Sequence, residues 1–249
     1  MTHPTSWLAR CDPTVKAVGL LVVSLVTLFL FEPLPLAAMF AAALVGARMG
    51  ARVRWRLLGM ALVPLALFGL GLLVVNALSR PGEPLLPDAP VRVTAEGLVV
   101  GLALALRALV IGTLSIGFLA STPPRELLTS LMQHARLSPR YAFAVLAGHR
   151  MLAAMPRTWA TIRSAHAVRA PSGRGGRPRL GARGFARCAF ALLVDAIRAS
   201  ERTALALESR GLGDGPRTIW RPAGIGRPDA LLGVALAVLL GGAVLATAL

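Results

Sequence analysis

The sequence predicts an all-α, polytopic membrane protein with about five transmembrane helices and long amphipathic cytoplasmic helices. Three observations lead there. The 249 residues are 55% hydrophobic, with a mean hydropathy of +0.67. Apolar runs rich in Ala, Leu, Val and Gly reach or approach the ~20 residues that cross a hydrocarbon core of ~30 Å. Between positions 121 and 227 lie 18 arginines, five acids and no run long enough to span.

The apolar runs occupy positions 17–31, 34–47, 57–78, 98–120 and 230–249. The second is short and could be re-entrant, or could extend to Ala51 if Arg48 snorkels to the interface. FEPLP (31–35) separates the first two, because proline is poorly tolerated inside a helix. The opening MTHPTSWLARCDPTVK lacks the pattern of a cleaved signal peptide, so the first run is expected to be retained as a span. Three regions follow: a membrane region over 1–120, a helical cytoplasmic region over 121–227 and a final span over 228–249.

Charge sets the expected orientation. The link 48–56 carries four arginines and no acid, whereas 79–96 sets Arg80 and Arg92 against Glu83, Asp88 and Glu96. The positive-inside bias puts the first link in the cytoplasm and the second outside. The N-terminus is then cytoplasmic and the C-terminus outside. The net charge of +16 rests almost wholly on arginine, Lys16 being the only lysine.

Helix signals are clear in the central region. Thr122–Pro123 and Ser138–Pro139 each read as an N-cap followed by proline at the first helical position. The second of these helices continues past Pro156 to Arg169, and a third runs from about Phe185 to Arg210. APSGRGGRPRLGARG (170–184) between them reads as a solvated loop.

Chemistry is scarce. The only lysine follows CDPTV, so there is no P-loop. His3, His134, His149 and His166 have no ligand spacing, which argues against a metal site. Glu32, Glu96 and Asp229 stand at span edges, and no serine sits in a nucleophile elbow. No residue is assigned a catalytic role. Arg107, near the middle of the fourth run, is the one intramembrane charge. It bonds backbone carbonyls or Asn76 between helices, or it lines a substrate path.

TALALESRGLGDGPRT (203–218) ends a helix on arginine and glycine, and Arg169 ends the preceding one. A cation at a helix C-terminus and a left-handed glycine cap would explain each end by itself. DPTVK (12–16), ALRALVIGTLSIGFLASTPPRELLTSL (105–131), GHRMLAAMPRTWATIRSAHAVRA (148–170) and ALALESRGLG (204–213) occur in an order that resembles the transmembrane T component of energy-coupling factor (ECF) transporters, bacterial importers of vitamins and metal ions. The resemblance implies two long coupling helices whose Ala-Arg-Gly-like ends dock on two ABC-type ATPase subunits. Here those ends read Val168-Arg169-Ala170 and Ser209-Arg210-Gly211. Ala170 departs most from the motif, since alanine adopts the left-handed conformation less readily than glycine.

It further implies a bacterial plasma-membrane subunit in the lipid bilayer that passes ATP-driven motion to a membrane-embedded, substrate-binding S component. ATP and Mg would be bound by the partner subunits and no cofactor by this chain. A reading from another class is a basic membrane anchor that binds anionic lipid or nucleic acid through positions 174–187. Nucleic acid is not expected, because aromatics that could stack on bases are missing there.

Overall fold

The computed structural model describes residues 6–82, 93–169, 181–212 and 224–248. Positions 170–180 of the arginine-rich loop, Ala170 included, and most of the acidic link lie outside the described residues. The loop's last residues, expected to be irregular up to position 184, instead cap and begin a helix at Ala182. Among those described are eight α-helices and no strand. The chain divides into two units, one of Met1–Leu131 with Pro222–Leu249 and one of Met132–Arg221.

In the first unit, α1 (Pro13–Phe29) opens on Asp12, whose carboxylate accepts from the Thr14 N–H at 2.7 Å, with Pro13 at the first helical position. This combination satisfies one orphan donor and presets φ for the first turn. Pro33 opens α2 (Pro33–Val45), which runs on through a π-helical turn, Gly46–Gly50. The second apolar run therefore extends to 18 residues. Arg48 is exposed at its end, 5.8 Å from the centre of the Trp55 ring.

Helices α3 (Trp55–Ser79) and α4 (Ala95–Ser121) form a long antiparallel pair. Thr94 joins their ends: its N–H donates to Ala77 O, its hydroxyl donates to Arg80 O and accepts from Gly97 N–H. Small residues let the backbones approach, as membrane helix pairs commonly do. A Cβ added at Gly101 would stand 2.8 Å from Leu73 Cα, and one at Gly69 would meet the Ala105 Cβ at 3.0 Å.

The last apolar helix of the unit is α8 (Arg227–Ala248). Val23, Leu36, Met39, Val110 and Ala243 from α1, α2, α4 and α8 make one core. Ala47, Ala51, Val53 and Leu58 make a second under the basic link. Much of the remaining apolar surface, including Leu21, Leu34, Met60, Leu67 and Val238, is exposed, as a bilayer requires.

Among the described residues, four helices are long and apolar enough to cross a membrane: Pro33–Gly50, Trp55–Ser79, Ala95–Ser121 and Arg227–Thr247. α1 is equally apolar but has 17 residues, at the lower limit of a spanning helix. α5 (Pro124–His134) starts at Pro124. Thr122 closes α4 rather than capping α5 as the sequence suggested, because Pro123 lies outside the helix and offers its carbonyl to Glu126 and Leu127 N–H.

The second unit is built on α6 (Pro139–Val168) and α7 (Ala182–Ser209), an antiparallel pair. Trp159 meets Phe185 edge-on at 5.3 Å. Residues 140–151 and 200–212 line a groove of about 530 Å³ at the opposite end. α6 opens on Ser138 and carries Pro156 in its interior without ending there.

Replacing Gly101 with Ala should lower stability by about 1–3 kcal/mol, since the added methyl meets the α3 backbone. Gly71→Ala, whose added Cβ meets nothing within 4 Å, should leave it unchanged or slightly raised. Thermal unfolding of both variants in detergent checks this; equal midpoints would rule out close packing at Gly101.

Candidate functional site

The two arginine-tipped helix ends differ in construction. α6 stops with Arg169 at its C-cap, whose N–H donates to His166 O at 3.2 Å. Val168 before it is 88% exposed, and Arg169 is exposed as well. α7 stops in a Schellman motif: Gly211 N–H donates to Glu208 O at 2.8 Å and Leu212 N–H to Leu207 O at 2.9 Å. Gly211 has φ +79°, which costs a glycine little and any other residue about 1–2 kcal/mol. The cap turns the chain sharply and leaves Arg210 exposed at the tip.

Antiparallel packing separates these tips. The α6 end lies with the α7 start, where Trp159 meets Phe185. The α7 end lies with the α6 start, where Arg140 and Glu208 line one groove. A 30-residue helix is about 45 Å long at 1.5 Å per residue. Arg169 and Arg210 therefore sit at opposite ends of the pair and cannot serve a single small-molecule pocket. Two guanidinium groups so placed can each make a forked contact with a separate carboxylate-bearing partner.

Arg107 bonds backbone carbonyls of a neighbouring helix. Its Nη2 donates to Leu30 O at 2.8 Å and Leu28 O at 3.2 Å, and the guanidinium lies 5.5 Å from the Phe31 ring centre. Asn76 is not its partner and bonds Leu72 O in its own helix at 2.9 Å. The last carbonyls of any helix lack intrahelical donors, and in an apolar surrounding they must find others. Register explains why the charge is mid-span. Fourteen residues separate Lys16 from Leu30 and fourteen separate Arg107 from Ser121. Lys16 Nζ also reaches Ser121 O at 3.5 Å. α1 thus runs back along half of α4 and ends where Arg107 waits.

A further polar cluster was not singled out as a site from the sequence. Asp12, Ser130 and Asp229 are all buried. Asp12 Oδ1 accepts from Ser130 Oγ at 2.5 Å, and Ser130 Oγ lies 2.6 Å from Thr14 Oγ1. Asp12 N–H donates to Asp229 Oδ1 at 2.5 Å, and Asp229 Oδ2 accepts from Gly226 N–H at 2.8 Å. Lys16 Nζ donates to Leu8 O at 3.0 Å. The Cys11 thiol beside this cluster is pushed up by burial and then by the Asp229 charge, against an opposing pull from Lys16. Asp-Pro before an apolar run is a sequence signal for the cap. Asp229 has a local role as well, holding Gly226 N–H in the first turn of α8, but nothing local marks its bond to Asp12 or that of Ser130 to Asp12, each made across more than 100 positions.

Arg107→Leu should cost about 1.5–3 kcal/mol for hydrogen bonds to a charged donor and lower the thermal midpoint without altering the helix ends. Gly211→Ala should loosen the cap by about 1–2 kcal/mol. Faster amide exchange at Leu212 with unchanged exchange in α3 would verify this; unchanged protection at Leu212 would rule it out.

No curated protein matched the sequence. The family model for CbiQ, cobalt transport protein, matches residues 4–218. That stretch takes in the apolar helices up to α4, the segment from the buried Asp12 to the buried Lys16 and both arginine-tipped helix ends. The family is one of transport permeases rather than enzymes. The chain belongs to the CbiQ cobalt transport protein family, the T-component family of ECF transporters.

Proposed function

We propose that this chain is the transmembrane coupling subunit of an ECF-type importer of cobalt or another small cargo. It carries ATP-driven motion from two ABC-type ATPases to a membrane-embedded S component that holds the cargo. ATP and Mg are bound on the ATPases, and Arg169 and Arg210 are the docking residues. The observation that carries this reading is the placement of the two exposed arginines at opposite ends of one antiparallel helix pair. A pair about 45 Å long offers one tip to each of two partners and moves when they approach each other.

Exposed apolar side chains on the same helices support protein partners. Tyr141, Val145 and Leu152 on α6 and Phe190, Leu193 and Ile197 on α7 are all exposed, and the α7 set recurs at helical spacing. Exposed arginines at 48, 52, 54 and 56 support a cytoplasmic placement of that link, and hence of the N-terminus.

Arg169→Glu and Arg210→Glu should each weaken ATPase docking by about 2–5 kcal/mol, because reversal leaves the partner charge unpaired. Co-purification from native membranes in mild detergent at matched levels, with mass spectrometry of the partners, checks this. Wild type should bring down an ABC-type ATPase pair that both reversals lose. An ATPase pair that stays bound with both arginines reversed would reduce these residues to helix caps.

A further inference from the structure

The chain crosses from the first unit to the second near Leu131 and returns near Pro222. Both crossings are fastened to one five-residue stretch of the first unit. On the outgoing side, Ser130 lies one residue before the boundary, is 0% exposed and donates to Asp12 Oδ1. Thr14 N–H donates to both Asp12 Oδ1 and Ser130 Oγ, so the oxygens sit in a closed triangle of donors and acceptors. On the returning side, Asp229 holds Gly226 N–H with one carboxylate oxygen and Asp12 N–H with the other. Lys16 ties the end of α4 to Leu8 behind the same stretch.

An N-cap needs none of this. Asp12 would cap α1 with its bond to Thr14 alone, and an apolar contact would pack α5 and α8 there at least as stably as a buried polar knot. Directional bonds from buried charged groups do something apolar packing does not: they permit one register and one separation. The side chains are also short, with no long flexible stem to absorb displacement.

We propose that Asp12, Ser130 and Asp229 are positioning residues that clamp the two chain crossings together, so that α5 and the start of α8 keep a fixed separation while α6 and α7 move. This rests on the coupling function proposed above. Motion entering through the helix tips would then reach the apolar helices as one displacement rather than as two independent ones. Loss of Ser130 would free the outgoing crossing and leave the returning one held.

The test is a distance measured in the assembled transporter. Nitroxide labels replace Arg125 on α5 and Arg227 at the start of α8, both exposed, while Cys11 and Cys188 are buried. Pulsed electron resonance is recorded without nucleotide and with trapped Mg-ATP. A narrow distribution unshifted by nucleotide is expected in the otherwise wild-type protein. Ser130→Ala should still capture the ATPases, yet show a distribution that broadens or shifts with nucleotide. Thr129→Ala, whose hydroxyl bonds only within its own helix, should behave as wild type.

Thr14→Val removes the hydroxyl shared with Ser130 and is read in the same way if Ser130→Ala does not assemble. A nucleotide-dependent shift in wild type, or narrow and unshifted distributions in both variants, would overturn the clamp. Absence of ATPases from the wild-type preparation would instead bring down the coupling function, and the clamp with it. ATPases present with diverging wild-type distances bring down the clamp alone.

Discussion

A backbone carbonyl or amide inside hydrocarbon has no water to turn to, so each break in an apolar helix must be answered by a donor or acceptor from the protein itself. The first unit follows that constraint from one end to the other. Asp12 answers the start of α1, Arg107 its end, and Thr94 the junction of α3 with α4. Ser24, Thr27, Thr113 and Ser121 return their hydroxyls to carbonyls three or four residues back. Polar residues are rare in these helices, and those away from the breaks satisfy their own donors on the carbonyls of the preceding turn.

Arg107 shows how this changes a functional judgement. A lone charge in the middle of a span suggests a cargo path, since ionisable groups are costly there and commonly functional. Its guanidinium closes the end of a shorter neighbouring helix, so the backbone by itself gives a reason for the charge. α4 extends well past the α1–α2 turn because its 27 residues are paired with the 25 of α3 rather than with the 17 of α1. The charge is central in the sequence of α4 and terminal with respect to α1.

The second unit solves a different problem. Its helices are long, carry many arginines and keep apolar residues exposed, which is a poor design for a helix pair alone and a suitable one for a pair between partners. A Schellman cap at Gly211 and a plain C-cap at Arg169 end the two helices by different means. Both leave the arginine outermost, because the side chain of a C-cap residue lies past the last packed turn.

Much of this was legible in the sequence. Apolar run lengths located the five apolar helices within a few residues, since cost per buried polar group fixes such runs almost regardless of context. Ser138–Pro139 and Gly211 after Arg210 marked ends of the long helices, because caps are local chemistry. Thr122 misled for the same reason: its local pattern suits a cap, but two successive prolines allow the helix to begin one position later, and α4 had already claimed the threonine. What tertiary structure alone decided were pairings between distant positions. Arg107 with Leu28 and Leu30, Asp12 with Ser130 and Asp229, and the opposite placement of Arg169 and Arg210 depend on helix register and direction. No residue pattern encodes these within its own neighbourhood, because they arise only when separately specified helices pack together.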